Sequence, residues 1–355
     1  MTKQAFIHEL QTALAQANPN ARDEIIADIS EHFTEGAAQG MTEEEICRSL
    51  GQPGTIAAQV LEEIGTDAPP PSHSSPPPNN NSQAYQYRKG QDLDEVYTGI
   101  TNISAKLETC NLTLLPSTDG LCRVAVRGLT NREECEVTNE SGLLTVKVKH
   151  LRSFFGFTFG RASNTEVTVH VPAQFAGEIK ADSSAGNIYA AGISGALKLD
   201  TSAGNVTVNE HHGNRIHIDT SAGNVDLHMA SKYVEYVNVD TSAGNVRFTA
   251  EETGRLILDT SAGGIDARVT KIGGDTVLDT SAGSVTLTAQ EVAGNITLDT
   301  SAGSIHVYLP VNANCRIQAD KPSIGSLHNE LAGNPRSPYV LKADTSVGSI
   351  HLKAL

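Results

Sequence analysis

The chain has 355 residues, room for two or three domains, with 39% hydrophobic and 5% aromatic residues, no Trp and a formal net charge of -15. That acidity excludes a surface built for nucleic-acid phosphates or for anionic lipid headgroups, both of which need basic patches. So few aromatics point to a thin core of Val, Ile, Leu and Ala. No apolar run reaches the ~20 residues of a membrane helix, and Lys3 interrupts the N-terminus before a signal-peptide core could form. A cytoplasmic location is therefore expected. The cysteines (Cys47, Cys110, Cys122, Cys135 and Cys315) are odd in number and lack metal-type spacing. They read as reduced, mostly buried thiols; a Cys110–Cys122 or Cys122–Cys135 bridge would require an oxidising compartment.

Residues 1–65 read as helical. Phe6, Leu10, Ala13, Leu14 and Ala17 share one helical face until Asn18-Pro19-Asn20 breaks the run. A second helix begins near Ala21, carries Ile25, Ile29, Phe33 and Ala37 on one stripe, and ends near Gly40. Thr42 and Glu45 have capping-box spacing and start a third helix, which Gly51 stops, with Pro53 just beyond. A fourth helix, with Ile56, Val60, Leu61 and Ile64 as its apolar face, runs to about Ile64. Phe6-x-x-x-Leu10, Ile25 with Asp28, Glu31-His32-Phe33, Gly36, the run Gly40 to Ile46, Leu50-Gly51-Gln52-Pro53 and Ile56-Ala57 resemble the HAAS signalling domain of bacteria. The resemblance implies a signalling partner, a PadR-type transcriptional regulator.

Residues 66–92 hold two proline triplets and Asn79-Asn80-Asn81; this composition cannot bury enough apolar surface to fold and predicts a disordered spacer. From residue 93 the pattern changes to period two, with Leu112, Leu114, Val124, Val126, Leu144, Val146 and Val148 alternating with polar residues. Irregular first strands occupy 93–175 and tandem repeats 176–355. Copies of Asp-Thr-Ser-Ala-Gly start at Asp182, Asp200, Asp219, Asp240, Asp259, Asp279, Asp299 and Asp344, with a degenerate copy at Asp320 filling the gap before the last. A period of roughly 20 residues is that of a solenoid. Alternation puts Leu197, Leu199, Thr201 and Ala203 inward, and Gly204-Asn205 turns the chain because both residues tolerate positive φ. The strands expected here, the aromatic segment Phe154-Phe155-Gly156-Phe157-Thr158-Phe159, the strand Val167 to Pro172 and the serial Thr-Ser-x-Gly turns resemble the DUF4097 adhesin family.

The repeated aspartates are the first candidate site. In register they form a column of carboxylates, either a cation-binding stripe or a set of turn caps. The Gly-Gly-x-Gly-x-Asp pattern of calcium solenoids is missing, which favours caps. His211 and His212 fall in an inter-repeat loop, and His306 and His351 at equivalent strand positions; all four read as solvent-facing. The Phe154 to Phe159 cluster reads as a cap on the open end of the core. No Gly-x-Ser-x-Gly, P-loop or His-Glu-x-x-His motif occurs, so no catalytic, cofactor-binding or metal-ligating residue and no cofactor is expected.

The expected fold is therefore a small helical bundle, a Pro-rich linker and a right-handed parallel β-solenoid. The expected function is a non-enzymatic signalling or scaffold protein whose helical module contacts a regulator while the solenoid offers a sensing or interaction surface. A surface-exposed adhesin-like protein is the second reading, and a carbohydrate-active β-helix enzyme the third. Proteins of this kind often place a membrane helix between the two domains; here the Pro-rich tether occupies that place.

Overall fold

The computed structural model describes residues 1–17, 19–64, 85–130, 133–150 and 165–355. The chain divides into two compact units, helical and β. In the helical unit, α1 (Lys3–Ala13), α2 (Pro19–Ala38), α3 (Glu43–Leu50) and α4 (Pro53–Ile64) bury Phe6, Leu10, Leu14, Ile25, Ile29, Phe33, Ile46, Leu50, Ile56 and Val60 in one core. The capping box is formed: the Glu45 amide donates to Thr42 Oγ1, and the Thr42 amide donates to the Glu45 carboxylate at 2.8 Å. Pro19 opens α2 rather than only separating two helices, since a first-turn position has no use for the missing N–H. Ala37, expected on the buried stripe, is exposed; the chain reaches the α3 side chain of Ile46 through Gly36 instead.

Among the described residues the β unit is one hydrogen-bonded system of 25 strands. Its first part contains β1 (Tyr85–Lys89), β2 (Leu93–Tyr97), β3 (Asn102–Leu107), β4 (Asn111–Ser117), β5 (Cys122–Arg127), β6 (Glu133–Glu140), β7 (Leu143–His150) and β8 (Glu166–Pro172). The repeats supply β9 (Glu178–Ala185), β10 (Ile188–Ala191), β11 (Ala196–Ala203), β12 (Val206–His211), β13 (Arg215–Ala222), β14 (Val225–Met229), β15 (Tyr233–Ala243), β16 (Val246–Ala262) and β17 (Ile265–Ile272). They continue as β18 (Thr276–Ala282), β19 (Val285–Val292), β20 (Ile296–Ala302), β21 (Ile305–Leu309), β22 (Arg316–Ala319), β23 (Leu327–Asn329), β24 (Val340–Val347) and β25 (Ile350–Ala354). Each repeat gives one strand before the Gly turn and one after it. Like strands stack in parallel register, so β9, β11, β13 and β15 form one side and β10, β12, β14 and the first half of β16 another. A continuous row of Leu, Ile and Val fills the space between the sides. The result is a parallel β-solenoid, as the 20-residue period requires.

Two departures from the sequence reading bear on the ends. β1 lies inside the span assigned to the spacer, because Tyr85, Tyr87 and Lys89 leave Gln86 and Arg88 half-buried and the strand pairs antiparallel with β6. More importantly, the coils do not stack in chain order. β3 pairs with β9 as well as β7, and β4 with β10 as well as β8, so the β7–β8 coil lies outside the β3–β4 coil. At the other end β24 pairs with β20, and β22 pairs only with β24. The last repeat is thus inserted beneath the degenerate one, which becomes the outermost coil. Its residues explain the placement. Pro322 has no N–H to give a ladder, and Lys321 stands where other copies have Thr, so this copy suits an edge that nothing stacks upon.

Candidate functional site

The polar residues of the repeat divide into those that build the stack and those that face out. The inward threonines Thr201, Thr220, Thr241, Thr260, Thr280, Thr300 and Thr345 are buried. The Oγ1 of Thr260, Thr280, Thr300 and Thr345 donates at 2.9–3.0 Å to the turn-glycine carbonyl of the preceding coil. The turn glycines do not need positive φ; from Gly186 to Gly303 their backbone is ordinary. They are glycine because a Cβ on Gly223 would lie 1.9 Å from the Gly204 carbonyl oxygen, and the neighbouring coils repeat this contact. Ala203, expected inside, is exposed because the strand bends outward at the corner.

The residue after each glycine forms a relay. Asn111 accepts from the Asn187 amide, Asn187 from Asn205, Asn205 from Asn224, Asn224 from Asn245 and Asn245 from Gly264, all at 2.8–3.0 Å. Gly264 has no side chain and ends the amide run. The serines beyond it continue more weakly, with the Ser304 amide 3.4 Å from Ser284 Oγ and the Ser349 amide 3.2 Å from Ser304 Oγ.

The aspartates do not cap their turns. Asp182, Asp200, Asp219, Asp240, Asp259, Asp279, Asp299 and Asp344 stand in register on one outward face. Among the described residues only Asp182 has a partner, Lys180 at 3.2 Å. Strand geometry explains this: Asp precedes the corner glycine by four residues and points outward from the strand, away from the turn amides. Partial burial, and then the carboxylates of Asp279 and Asp240, raise the pKa of Asp259; partial burial, Asp279 and Asp344 do the same for Asp299. Toward the N-terminal coils the column continues as Lys106 and Lys147. An open groove of about 540 Å³ lies at this change of sign, lined by Lys106, Glu108, Lys147, Lys149, Asp182 and Asp200. Most of its cations are already paired, Lys147 with Glu136 at 3.4 Å and Lys149 with Glu134 at 2.9 Å.

The closest approach to a catalytic relay was not legible in the sequence. His150 Nδ1 lies 3.6 Å from the buried Glu133 carboxylate, and Thr109 Oγ1 lies 3.4 Å from both ring nitrogens. Equal distances place the hydroxyl against the ring edge between the nitrogens, out of line for proton transfer. Glu133 is instead held by the hydroxyls of Thr130 and Thr165. A smaller cavity of about 190 Å³ is lined by Ser117, Thr118, Asp119, Arg123 and His170. There Ser117 Oγ and the Leu121 amide donate to Asp119, holding its pKa down. That arrangement closes the turn between β4 and β5.

With strands, turns and outward columns in place, comparison with known families can be weighed. The pattern of the Toastrack DUF4097 family matches residues 100–334, most of the chain. The chain belongs to the Toastrack DUF4097 family. The HAAS family matches residues 5–59, covering α1 to α3 and the start of α4. Among solved structures, a candidate cell adhesion protein from Clostridium sporogenes ATCC 15579 is similar at 14% identity and a TM-score of 0.29, over 75% of this chain and 100% of that one. A candidate adhesin from Bacteroides fragilis NCTC 9343 is similar at 14% identity and a TM-score of 0.31, over 74% of this chain and 97% of that one. No curated protein matches.

The Toastrack match ends before the inserted coil β24–β25, which nevertheless carries the repeat signature from Asp344 with Val347 in place of Ala. Within this Toastrack unit the histidines separate into two kinds. His211 is not in an exposed loop but fully buried, at the inward position that Met229 fills one coil later. Neither ring nitrogen completes a hydrogen bond, although the carbonyls of Gly195 and Ile193 lie near, and burial pushes its pKa down to about 4. His212 is exposed, and His306 and His351 are half-exposed on adjacent coils. The five cysteines are buried and unbridged, and burial pushes the thiols of Cys122 and Cys135 up to about 12. The Phe154 to Phe159 cluster lies outside the described residues. Among those described, no group of three or more His, Cys, Asp or Glu side chains converges to hold a metal ion, and no helix is long and apolar enough to cross a membrane.

Proposed function

We propose that the protein is a non-enzymatic signalling scaffold: the HAAS unit docks a regulator, and the Toastrack solenoid presents a rigid interaction surface. One observation carries this reading. The repeated Asn amides and the inward Thr hydroxyls, Thr220 excepted, are used in joining coil to coil, while the aspartates recur identically along an outward face. A catalytic group would break such a repeat at one coil, so regularity favours construction over chemistry. No catalytic, cofactor-binding or metal-ligating residue is assigned. The HAAS resemblance supports a PadR-type regulator as the partner and the cytoplasm as the site of action.

The test is capture of co-expressed PadR-type regulators by the full chain and by a chain lacking residues 1–65. Retention by the first and not the second is expected. Equal capture by both, or by neither, overturns the regulator reading. Cell fractionation distinguishes the alternative of a surface-exposed adhesin, which requires the protein outside the cell.

A further inference from the structure

The inverted coil order puts three histidines in one column at the C-terminal end. His306 on β21 pairs in register with His351 on β25, and His351 with His328 on β23. The rings of His306 and His351 stack at 5.1 Å between centroids and 3° between planes; those of His328 and His351 lie 6.4 Å apart at 50°. Earlier rungs of this column alternate in sign, running Asp226, Arg247 and Asp266, and then reach the neutral Thr286. The last three rungs can only become cationic.

The coil bearing His328 is weakly held. Ile317, Ala319 and Leu327 are only partly buried, and β23 has three residues. Yet this coil covers Leu341, Ala343, Ile350 and Leu352, all at most 2% exposed. We propose that the imidazoles of His306, His351 and His328 form an acid-sensitive latch: neutral and stacked, they let the outermost coil close the solenoid; protonated, they push it away and open the edges of β24 and β25.

The surrounding charges favour this direction. Lys353 on β25 stays with the stack and adds to the repulsion. Glu330 pairs with His328 at 3.1 Å, follows β23 in the capping segment and moves with it, so it opposes part of this repulsion. β19 offers Thr286 and Thr288 to the column, and β21 adds Tyr308. Partial burial, then His351 and Lys353, lower the pKa of His306. A group whose folded pKa is depressed resists protonation, so closure weakens as pH falls below the ordinary histidine value of about 6.5. Opening separates His328 from His351, and like charges at that spacing in water bias the equilibrium by roughly threefold. An opened edge presents unpaired backbone groups that an extended segment of another chain can join.

Hydrogen exchange of the full chain at about pH 7.5 and about pH 5, corrected for intrinsic rates, tests the latch. We expect residues 316–329 and 340–354 to lose protection roughly threefold at the lower pH, while residues 265–302 do not. The combined variant His306→Gln, His328→Gln and His351→Gln should keep its protection at both values. Unchanged protection in the parent chain, equal loss in the variant, or uniform loss that includes 265–302 would each overturn the proposal.

Discussion

At the residue scale, the Gly-Asn corner carries more information than its turn chemistry suggests. Its glycines were legible as corners from the sequence, but not the reason for them, because the contact is with another coil some 20 residues away. Gly223→Ala should cost about 3 kcal/mol, since the Cβ meets a backbone carbonyl that cannot rotate aside. Gly264 is different. A Cβ there meets nothing closer than the Ser284 carbonyl oxygen at 3.3 Å, and an Asn side chain would extend the relay toward the next coil. Gly264→Asn should raise stability by about 1 kcal/mol in urea titration; a loss of that size would show that the relay cannot be lengthened. His211 is a residue whose burial no local pattern revealed, because Glu210 adopts a positive φ of 50° and the ladder to β14 shifts register just there. With a folded pKa of about 4 against about 6.5 unfolded, His211 should cost up to about 3 kcal/mol of stability as pH falls across that interval. His211→Met should abolish this part of the pH dependence, measured as denaturation midpoints from about pH 7 to 5.

At the element scale, the strands were legible because inward Leu, Ile and Val recur with strand period and corner spacing together. The role of the aspartates was not, since a sequence does not say whether a polar residue before a turn faces the turn or the solvent. In the structure they are like charges on successive strands, with Asp182 alone among the described residues held by a lysine, and parallel pairing spaces them by roughly 4.8 Å. The raised pKa values of Asp259 and Asp299 fix the sign. The folded chain binds protons more readily than the unfolded one, so stability contributed by the column rises as pH falls toward about 4, opposite to the effect of His211. Asp279 acts on both neighbours. Asp279→Asn should therefore stabilise the protein near neutral pH by a few tenths of a kcal/mol after solvent screening. It should also flatten the acid-side gain in a series of melts. If the variant melts lower at neutral pH, the carboxylates are not repelling one another and something neutralises the column.

At the scale of the whole molecule, the period announced a solenoid but not the order of its coils. Chain order and stacking order agree through the middle repeats and part at both ends: at the N-terminal end the inner β3–β4 coil is laid down before the outer β7–β8 coil, and at the C-terminal end the outer coil precedes the inner one. The middle should then behave as interchangeable units. Deleting residues 263–282 removes one repeat and joins Ala262 to Gly283, restoring the Ala-Gly corner found in every neighbouring coil. That chain should remain folded and monomeric, with a melting temperature lower by only a few degrees. Deleting residues 340–355 removes fewer residues but should do more damage. The degenerate coil would be left to cover β20 and β21 with an exposed Lys321 after its Asp and a buried Pro322 lacking a donor, while Thr345, which donates to the Gly303 carbonyl at 2.9 Å, is gone. Open strand edges then favour association with other copies. Light scattering after size exclusion separates the two outcomes: self-association confined to the 340–355 deletion supports a closed end built by coil insertion, and a monomeric product shows that the degenerate coil can close the stack alone.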